Sequence, residues 1–407
     1  MTASSSASAS KKYDPPGSPS SVGYTEPRRV ALCDAARPFP LTRGGSLAPV
    51  EVEFETYGEL NADRSNAILV CHALSGDAHA AGWERQAPAD LRGYRAGMPG
   101  WWDRVIGPGK AIDTQRFFVI CSNVLGGCYG TTGPDSIQPS TGLPYGPDFP
   151  AVTVEDWVEL QARLLDHLGI ASLHTVVGGS LGGQQALEWG LRFPDRVARV
   201  VVLAAAARLS PQGIAFNYVG RQAIKSDPGF QDGRYYGRER QPAEGLSVAR
   251  MLAHITYIAQ EGIERKARKK PLTAAAEGGN DEPQAIKEGI RAFLNHVAGK
   301  FVTRFDANSY LRITHAMDDY DAARAWGGGD LVAACRRLQS KIMIVSFSSD
   351  WLYPPGQCRD LALAVSRAGH AVTYVEVPSE NGHDAFLVDY EKVSHLLAPF
   401  LASGADS

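Results

Sequence analysis

This sequence has no long apolar run, no paired cysteine motif and no excess charge of either sign. No stretch supplies the roughly 18 consecutive apolar residues that a membrane span requires, so a transmembrane protein is not expected. The six cysteines, at 33, 71, 121, 128, 335 and 358, form no C-x-x-C pair, which leaves neither a zinc site nor a redox motif spelled out. They are expected to be free thiols, mostly buried. With 41 Lys and Arg against 44 Asp and Glu, the net charge of -3 gives no field that would gather nucleic acid or an anionic membrane. The opening Met1–Ser10 is rich in Ser and Ala but lacks the hydrophobic segment of a secretory signal, and residues 1–22 contain no arginine, which counts against an organellar transit peptide. A cytoplasmic protein with a disordered tail over 1–25 is expected.

What the 407 residues do contain is short apolar runs rich in β-branched side chains: Ala67–Cys71, Phe117–Cys121, Thr175–Val177, Val200–Leu203, Ile342–Phe347 and Val372–Val377. Runs of that length read as strands buried on both faces. Helical patterns lie between several of them, such as Val158–Leu168 behind the acidic pair Glu155 and Asp156, and this alternation predicts an α/β protein with a mostly parallel sheet and flanking helices. From Ser210 to about Trp326 the alternation stops. Ser210 followed by Pro211 reads as a helix N-cap and first position. Val248, Met251, Leu252, Ile255 and Ile258, and then Phe293, Leu294, Val297 and Phe301, recur at helical spacing. The expectation is a helical lid over 209–327 inserted into a core made of 45–208 and 328–402. Within the lid, the basic run Arg265–Lys270 and the Gly/Ala/acid-rich stretch to Glu282 read as an exposed helix end and a solvated loop.

The segment from Thr175 to Leu187 passes from an apolar strand through Gly178-Gly179-Ser180-Leu181-Gly182 into a helical pattern. This is G-x-S-x-G, the nucleophile elbow, in which a sharp strand-to-helix turn tolerates only tiny side chains two residues either side of the serine. Two other glycine-rich turns fail here: a dinucleotide fingerprint needs glycine where Ser180 stands, and a phosphate-binding P-loop needs a Gly-Lys-Ser/Thr run that is missing. A serine nucleophile needs a base and a group to orient it, in the chain order Ser, acid, His, each after a late strand. Asp350 follows the Ile342–Phe347 run and His383 follows Val372–Val377. Backbone amides of Leu181, at the helix start, and of Leu74, in the loop after an early strand, are the expected oxyanion donors. His72 and His79 are spaced like no metal motif, and no metal is expected.

These residues, together with His72-Ala-Leu-Ser-Gly-Asp77, Asn123-Val-Leu-Gly-Gly-Cys-Tyr-Gly-Thr-Thr-Gly-Pro134 and Phe216-Asn-Tyr-Val-Gly-Arg-Gln-Ala-Ile224, give a chain that closely resembles the homoserine O-acyltransferases of the α/β-hydrolase superfamily from about residue 45 to 400. The resemblance implies Ser180 as acyl-accepting nucleophile, His383 as general base, Asp350 as its partner, and Arg221 and Asp384 as the groups that hold homoserine. It also implies a homodimer, and acyl-CoA as a co-substrate rather than a bound cofactor. The charges suit the substrate, since an α-carboxylate fits a guanidinium fork and an α-ammonium fits a carboxylate. Succinyl-transferring members of the resembled family tend to carry arginine two residues after the triad aspartate. This chain has Leu352 there, so acetyl-CoA is the expected donor. Succinyl transfer, serine as acceptor and simple ester hydrolysis remain the alternatives.

Overall fold

The computed structural model describes residues 13–85, 97–268 and 282–402. Its centre is an eight-stranded sheet: β1 (Arg28–Cys33), β2 (Val50–Tyr57), β3 (Ala67–Cys71), β4 (Phe118–Ser122), β5 (Thr175–Gly179), β6 (Arg199–Leu203), β7 (Lys341–Phe347) and β8 (Val372–Val377). The spatial order is β1-β2-β4-β3-β5-β6-β7-β8. Strands β4 to β8 with β3 run parallel, while β2 is antiparallel to both β4 and β1.

The central strands β3, β5 and β6 are mostly apolar because both their faces are covered, and every one of their residues is buried, Thr175 and Arg199 at the strand starts included. Alternate side chains feed opposite layers: Val176, Val200 and Ile344 join one core cluster, Val177, Val201 and Val345 the other. Helix α1 (Val154–His167) begins where Thr153 and Asp156 exchange side-chain and backbone hydrogen bonds in a capping box. It packs beside α2 (Leu181–Arg192), which leaves β5.

Between β6 and β7 the described chain is helical: α3 (Pro211–Ser226), α4 (Ala243–Tyr257), α5 (Gln260–Ala267), α6 (Glu282–Val302), α7 (Ala307–Asp319), α8 (Ala322–Gly327) and α9 (Leu331–Cys335), with one short 3-10 turn. Ser210 caps α3 by accepting the Gly213 amide, with Pro211 first in the helix. After β7 come α10 (Pro355–Arg367), α11 (Ala385–Val388) and α12 (Tyr390–Ala402).

Two expected boundaries are corrected. The sheet starts at Arg28 rather than after residue 45, because β1 and β2 form its antiparallel edge. Residues 13–25 are not a loose tail: Trp83 Nε1 donates to the Asp14 carbonyl at 2.7 Å, and Tyr24–Thr25 pairs in parallel with Trp83–Glu84. A buried indole N–H needs an acceptor, and this backbone supplies it. The remainder of the expected tail, residues 1–12, and the loop stretch 269–281 lie outside the described residues. All six cysteines are free and buried, and no described helix is long and apolar enough to cross a membrane.

Candidate active site

Ser180 sits between β5 and α2 with φ 58° and ψ −124°, a conformation that side chains other than glycine adopt only where the surroundings fix it. Its amide donates to the Leu203 carbonyl on β6 at 2.9 Å, and its own carbonyl accepts the Gly183 and Gln184 amides. A Cβ at Gly178 would overlap the Gly182 backbone, and one at Gly182 would overlap the Cys71 carbonyl at the end of β3. Both glycines are therefore required by contact, and the second brings the elbow against the loop that carries Leu74.

Asp350 and His383 are joined: His383 Nδ1 lies 2.8 Å from Asp350 Oδ2, with both side chains buried. The other carboxylate oxygen accepts the amides of Leu352 and Tyr353 at 3.0 and 2.9 Å, which offsets the cost of burying the charge. The imidazole is enclosed by the rings of Tyr353, Tyr257 and Phe386. Burial opposes its protonation, but the adjacent Asp350 carboxylate overrides this and holds His383 above the ordinary imidazole value. With Nδ1 occupied, Nε2 is buried and has no hydrogen-bond partner among the described residues. That leaves one ring nitrogen available to take a proton.

Ser180, Leu74 and Leu352 line one narrow cavity, roofed by Phe216, Asn217 and Tyr257 of the helical insertion. Leu74 occupies a tight turn closed by the Gly76 amide on the Ala73 carbonyl at 2.9 Å. Neither the Leu74 nor the Leu181 amide has a backbone acceptor among the described residues, so both can donate to an oxyanion if a carbonyl carbon bonds to Ser180.

Arg221 and Asp384, the residues expected to hold homoserine, differ in their surroundings. Arg221 Nη2 already meets Asp318 Oδ2 at 2.6 Å, Asn217 donates to the other Asp318 oxygen at 2.7 Å, and Arg221 Nη1 is buried without a hydrogen-bond partner among the described residues. Its charge is thus matched inside the protein. Asp384 is half-buried beside His383, and burial pushes its carboxyl up to about 6, against the pull of His383, Arg250 and Lys266. Arg250 on α4 was not singled out by sequence. Its guanidinium stands over the rings of Tyr257 and Phe301 at 5.6 and 4.8 Å, and it has no hydrogen bond or ion pair among the described residues. The available signal was an arginine between Val248 and Met251 in the apolar repeat of α4.

His79 pairs with Glu55 at 3.1 Å and His72 Nδ1 lies 2.8 Å from the Ala73 carbonyl. Among the described residues no group of three metal-ligating side chains comes together. The glycine-rich Asn123–Pro134 loop is a buttress: Thr131 and Thr132 take the Glu53 and Glu51 amides of β2, and Asn123 bonds Glu53 and the Tyr129 carbonyl.

A family model for the alpha/beta hydrolase fold matches residues 66–390. Homoserine O-acetyltransferase of Methanobrevibacter ruminantium is 47% identical over 387 residues, covering 94% of this chain and 74% of that protein. Homoserine O-succinyltransferase of Halothiobacillus neapolitanus is 46% identical over 383 residues, covering 94% and 91%. Among solved structures, homoserine O-acetyltransferase from Bacillus anthracis superposes with a TM-score of 0.77 at 29% identity, over 93% of this chain and 98% of that one. Esterase E22 superposes with 0.78 at 29% identity, over 93% and 100%.

Proposed function

The chain belongs to the homoserine O-acyltransferase family of the α/β-hydrolases, and from that premise we propose that it moves an acetyl group from acetyl-CoA to the side-chain hydroxyl of L-homoserine, a step of methionine biosynthesis. The observation that carries the chemistry is the Asp350-held imidazole whose buried Nε2 is unpaired, in a chain whose elbow serine opens onto a helix-roofed cavity.

In the first half-reaction His383 Nε2 takes the Ser180 hydroxyl proton while Oγ bonds the thioester carbonyl carbon, and the Leu74 and Leu181 amides receive the oxyanion. The C–S bond then breaks, the proton passes from His383 to sulfur, and CoA leaves. In the second, the homoserine hydroxyl gives its proton to His383 and attacks the acyl carbon. The Oγ–C bond breaks and Ser180 recovers the proton. Transfer outruns hydrolysis when the acceptor is held better than water. The acceptor's ammonium is matched by Asp384. Its carboxylate is assigned to Arg250, which makes no hydrogen bond or ion pair among the described residues, rather than to Arg221, which Asp318 neutralises.

Leu352 lines the Ser180 cavity, and a succinyl carboxylate facing it would lose its hydration without a partner, at a cost of several kcal/mol; this supports acetyl as the donor, although relatives bear both names. The likeness to an esterase supports hydrolysis as a second reading. The proposed assembly is a cytoplasmic homodimer. It is supported by Ile214, Tyr218 and Val219 on α3 and Val248 on the adjoining α4, which are 36%, 57%, 52% and 51% exposed.

The test is incubation with acetyl-CoA or succinyl-CoA and L-homoserine or L-serine, reading free CoA and acylated amino acid by mass spectrometry with Ser180→Ala as control. Acetylhomoserine formed only with intact Ser180 is the expected result. CoA release without an acylated amino acid would favour the hydrolase.

A further inference from the structure

We propose that Arg304, in the link between α6 and α7, is a positioning residue that fastens the oxyanion turn to the helical insertion. The inference rests on the reading of Ser180 as nucleophile and Leu74 as oxyanion donor, and adds a residue outside that set. Arg304 Nη1 donates to the Ser75 carbonyl at 3.0 Å and to the Tyr129 hydroxyl at 2.7 Å. Ser75 directly follows Leu74, and both lie within the Ala73–Gly76 turn.

The anchor is itself held. The guanidinium lies over the Phe301 ring at 5.4 Å, and Tyr129 meets Phe305, the neighbour of Arg304, edge-on at 5.8 Å. On the far side of the turn, the Asp77 carbonyl accepts Trp101 Nε1 at 2.9 Å. The turn is therefore fixed by the core at Asp77 and by the insertion at Ser75.

An oxyanion donor works by being aimed before charge develops, and a rotation of the Leu74 peptide loses most of its effect. A charge-assisted bond to the next carbonyl in the same tight turn resists that rotation. The consequence is that the insertion does two jobs. It roofs the cavity through Tyr257 and Phe216, and through Arg304 it sets the angle at which Leu74 N–H meets the acyl group.

The test uses the full chain, with Arg304→Gln, Arg304→Lys and Tyr129→Phe. Rapid-quench acylation by acetyl-CoA and the affinity of a boronic acid that forms a tetrahedral adduct on Ser180 are measured for each. Arg304→Gln is expected to slow acylation about tenfold to a hundredfold and to weaken the boronate by a similar factor, because both depend on the oxyanion donors. KM for acetyl-CoA should stay within about threefold. Arg304→Lys, which keeps one donor, should fall between, and it serves if the glutamine variant does not fold. A purely structural role would lower thermal stability and leave the ratio of boronate to substrate affinity unchanged, and that outcome overturns the inference. Acylation by Arg304→Gln at the unsubstituted rate also overturns it. If the unsubstituted protein forms no Ser180 ester or adduct, the nucleophile reading fails first and takes the role of Arg304 with it.

Discussion

Tyr353 touches both halves of the Asp350–His383 pair, its amide donating to Asp350 Oδ1 at 2.9 Å and its ring stacking on the imidazole with centroids 5.3 Å apart. Because Asp350 holds His383 above the ordinary value of 6.5 despite burial, and a base must be neutral to act, kcat/KM for acylation should rise with pH through an inflection above that value. Asp350→Asn should move the inflection down and lower kcat by about 10³–10⁴-fold. A pH–rate profile of CoA release checks both.

Arg250 and Arg221 should separate cleanly. Arg250→Gln is expected to raise KM for homoserine by about tenfold or more while leaving acylation by acetyl-CoA nearly unchanged. Arg221→Gln leaves the half-buried Asp318 carboxylate with Asn217 but without its cation, which should cost about 1–3 kcal/mol of stability. Steady-state kinetics with thermal melts distinguishes the two, and a homoserine KM that moves only in the Arg221 variant would reverse the assignment.

Leu352→Arg should shift the donor. The backbone amide of residue 352, which Asp350 accepts at 3.0 Å, survives the change, so Asp350 keeps that contact. The ratio of kcat/KM for succinyl-CoA to that for acetyl-CoA should rise by at least about tenfold if the side chain meets the donor's carboxylate. A ratio that stays put would remove Leu352 from donor choice.

Glu188 tests the pH dependence of stability. It is fully buried on α2, bonds Trp326 Nε1 at 2.9 Å, and burial pushes its carboxyl up from 4.5 to about 8. A carboxyl raised in the folded state leaves stability at its full value below the unfolded pKa of 4.5 and removes it as pH rises through about 8. Glu188→Gln keeps an acceptor for Trp326 and cannot ionise, so it should melt a few degrees higher than the parent at pH 9 and about equally at pH 5. Thermal melts at the two pH values give the difference.

The apolar faces of α3 and α4 predict the assembly. Tyr218→Asp combined with Val248→Asp should convert the proposed dimer to a monomer in light scattering without loss of cooperative unfolding, since both side chains are more than half exposed in the single chain. An unchanged mass would place the interface elsewhere.

The parallel half of the sheet, the elbow and the acid–base order were legible because each is written in a local pattern. Ala67–Cys71 and Val200–Leu203 are apolar runs whose burial needs no distant partner. Strand β2 hid because Val50–Tyr57 carries Glu53 and Glu55, which read as solvent-facing and yet are almost fully buried. Their partners, Arg29 for one and His79 with Tyr57 for the other, are mostly remote in sequence. The same holds for Arg221, whose neutralising Asp318 lies on another helix. Local pattern reports which residues want burial; it says little about which charges will meet inside.

The described helices between β6 and β7 run from Pro211 to Cys335, so they separate Ser180 from Asp350 and His383 along the chain. In the proposed mechanism, bringing Ser180 to His383 therefore closes a very long loop, an event that has little entropic reward until the sheet has formed across β6 and β7. Catalytic competence is accordingly a late and global property of folding. During refolding from denaturant, release of CoA from acetyl-CoA should return in the last kinetic phase, behind helical and aromatic signals that need only local order.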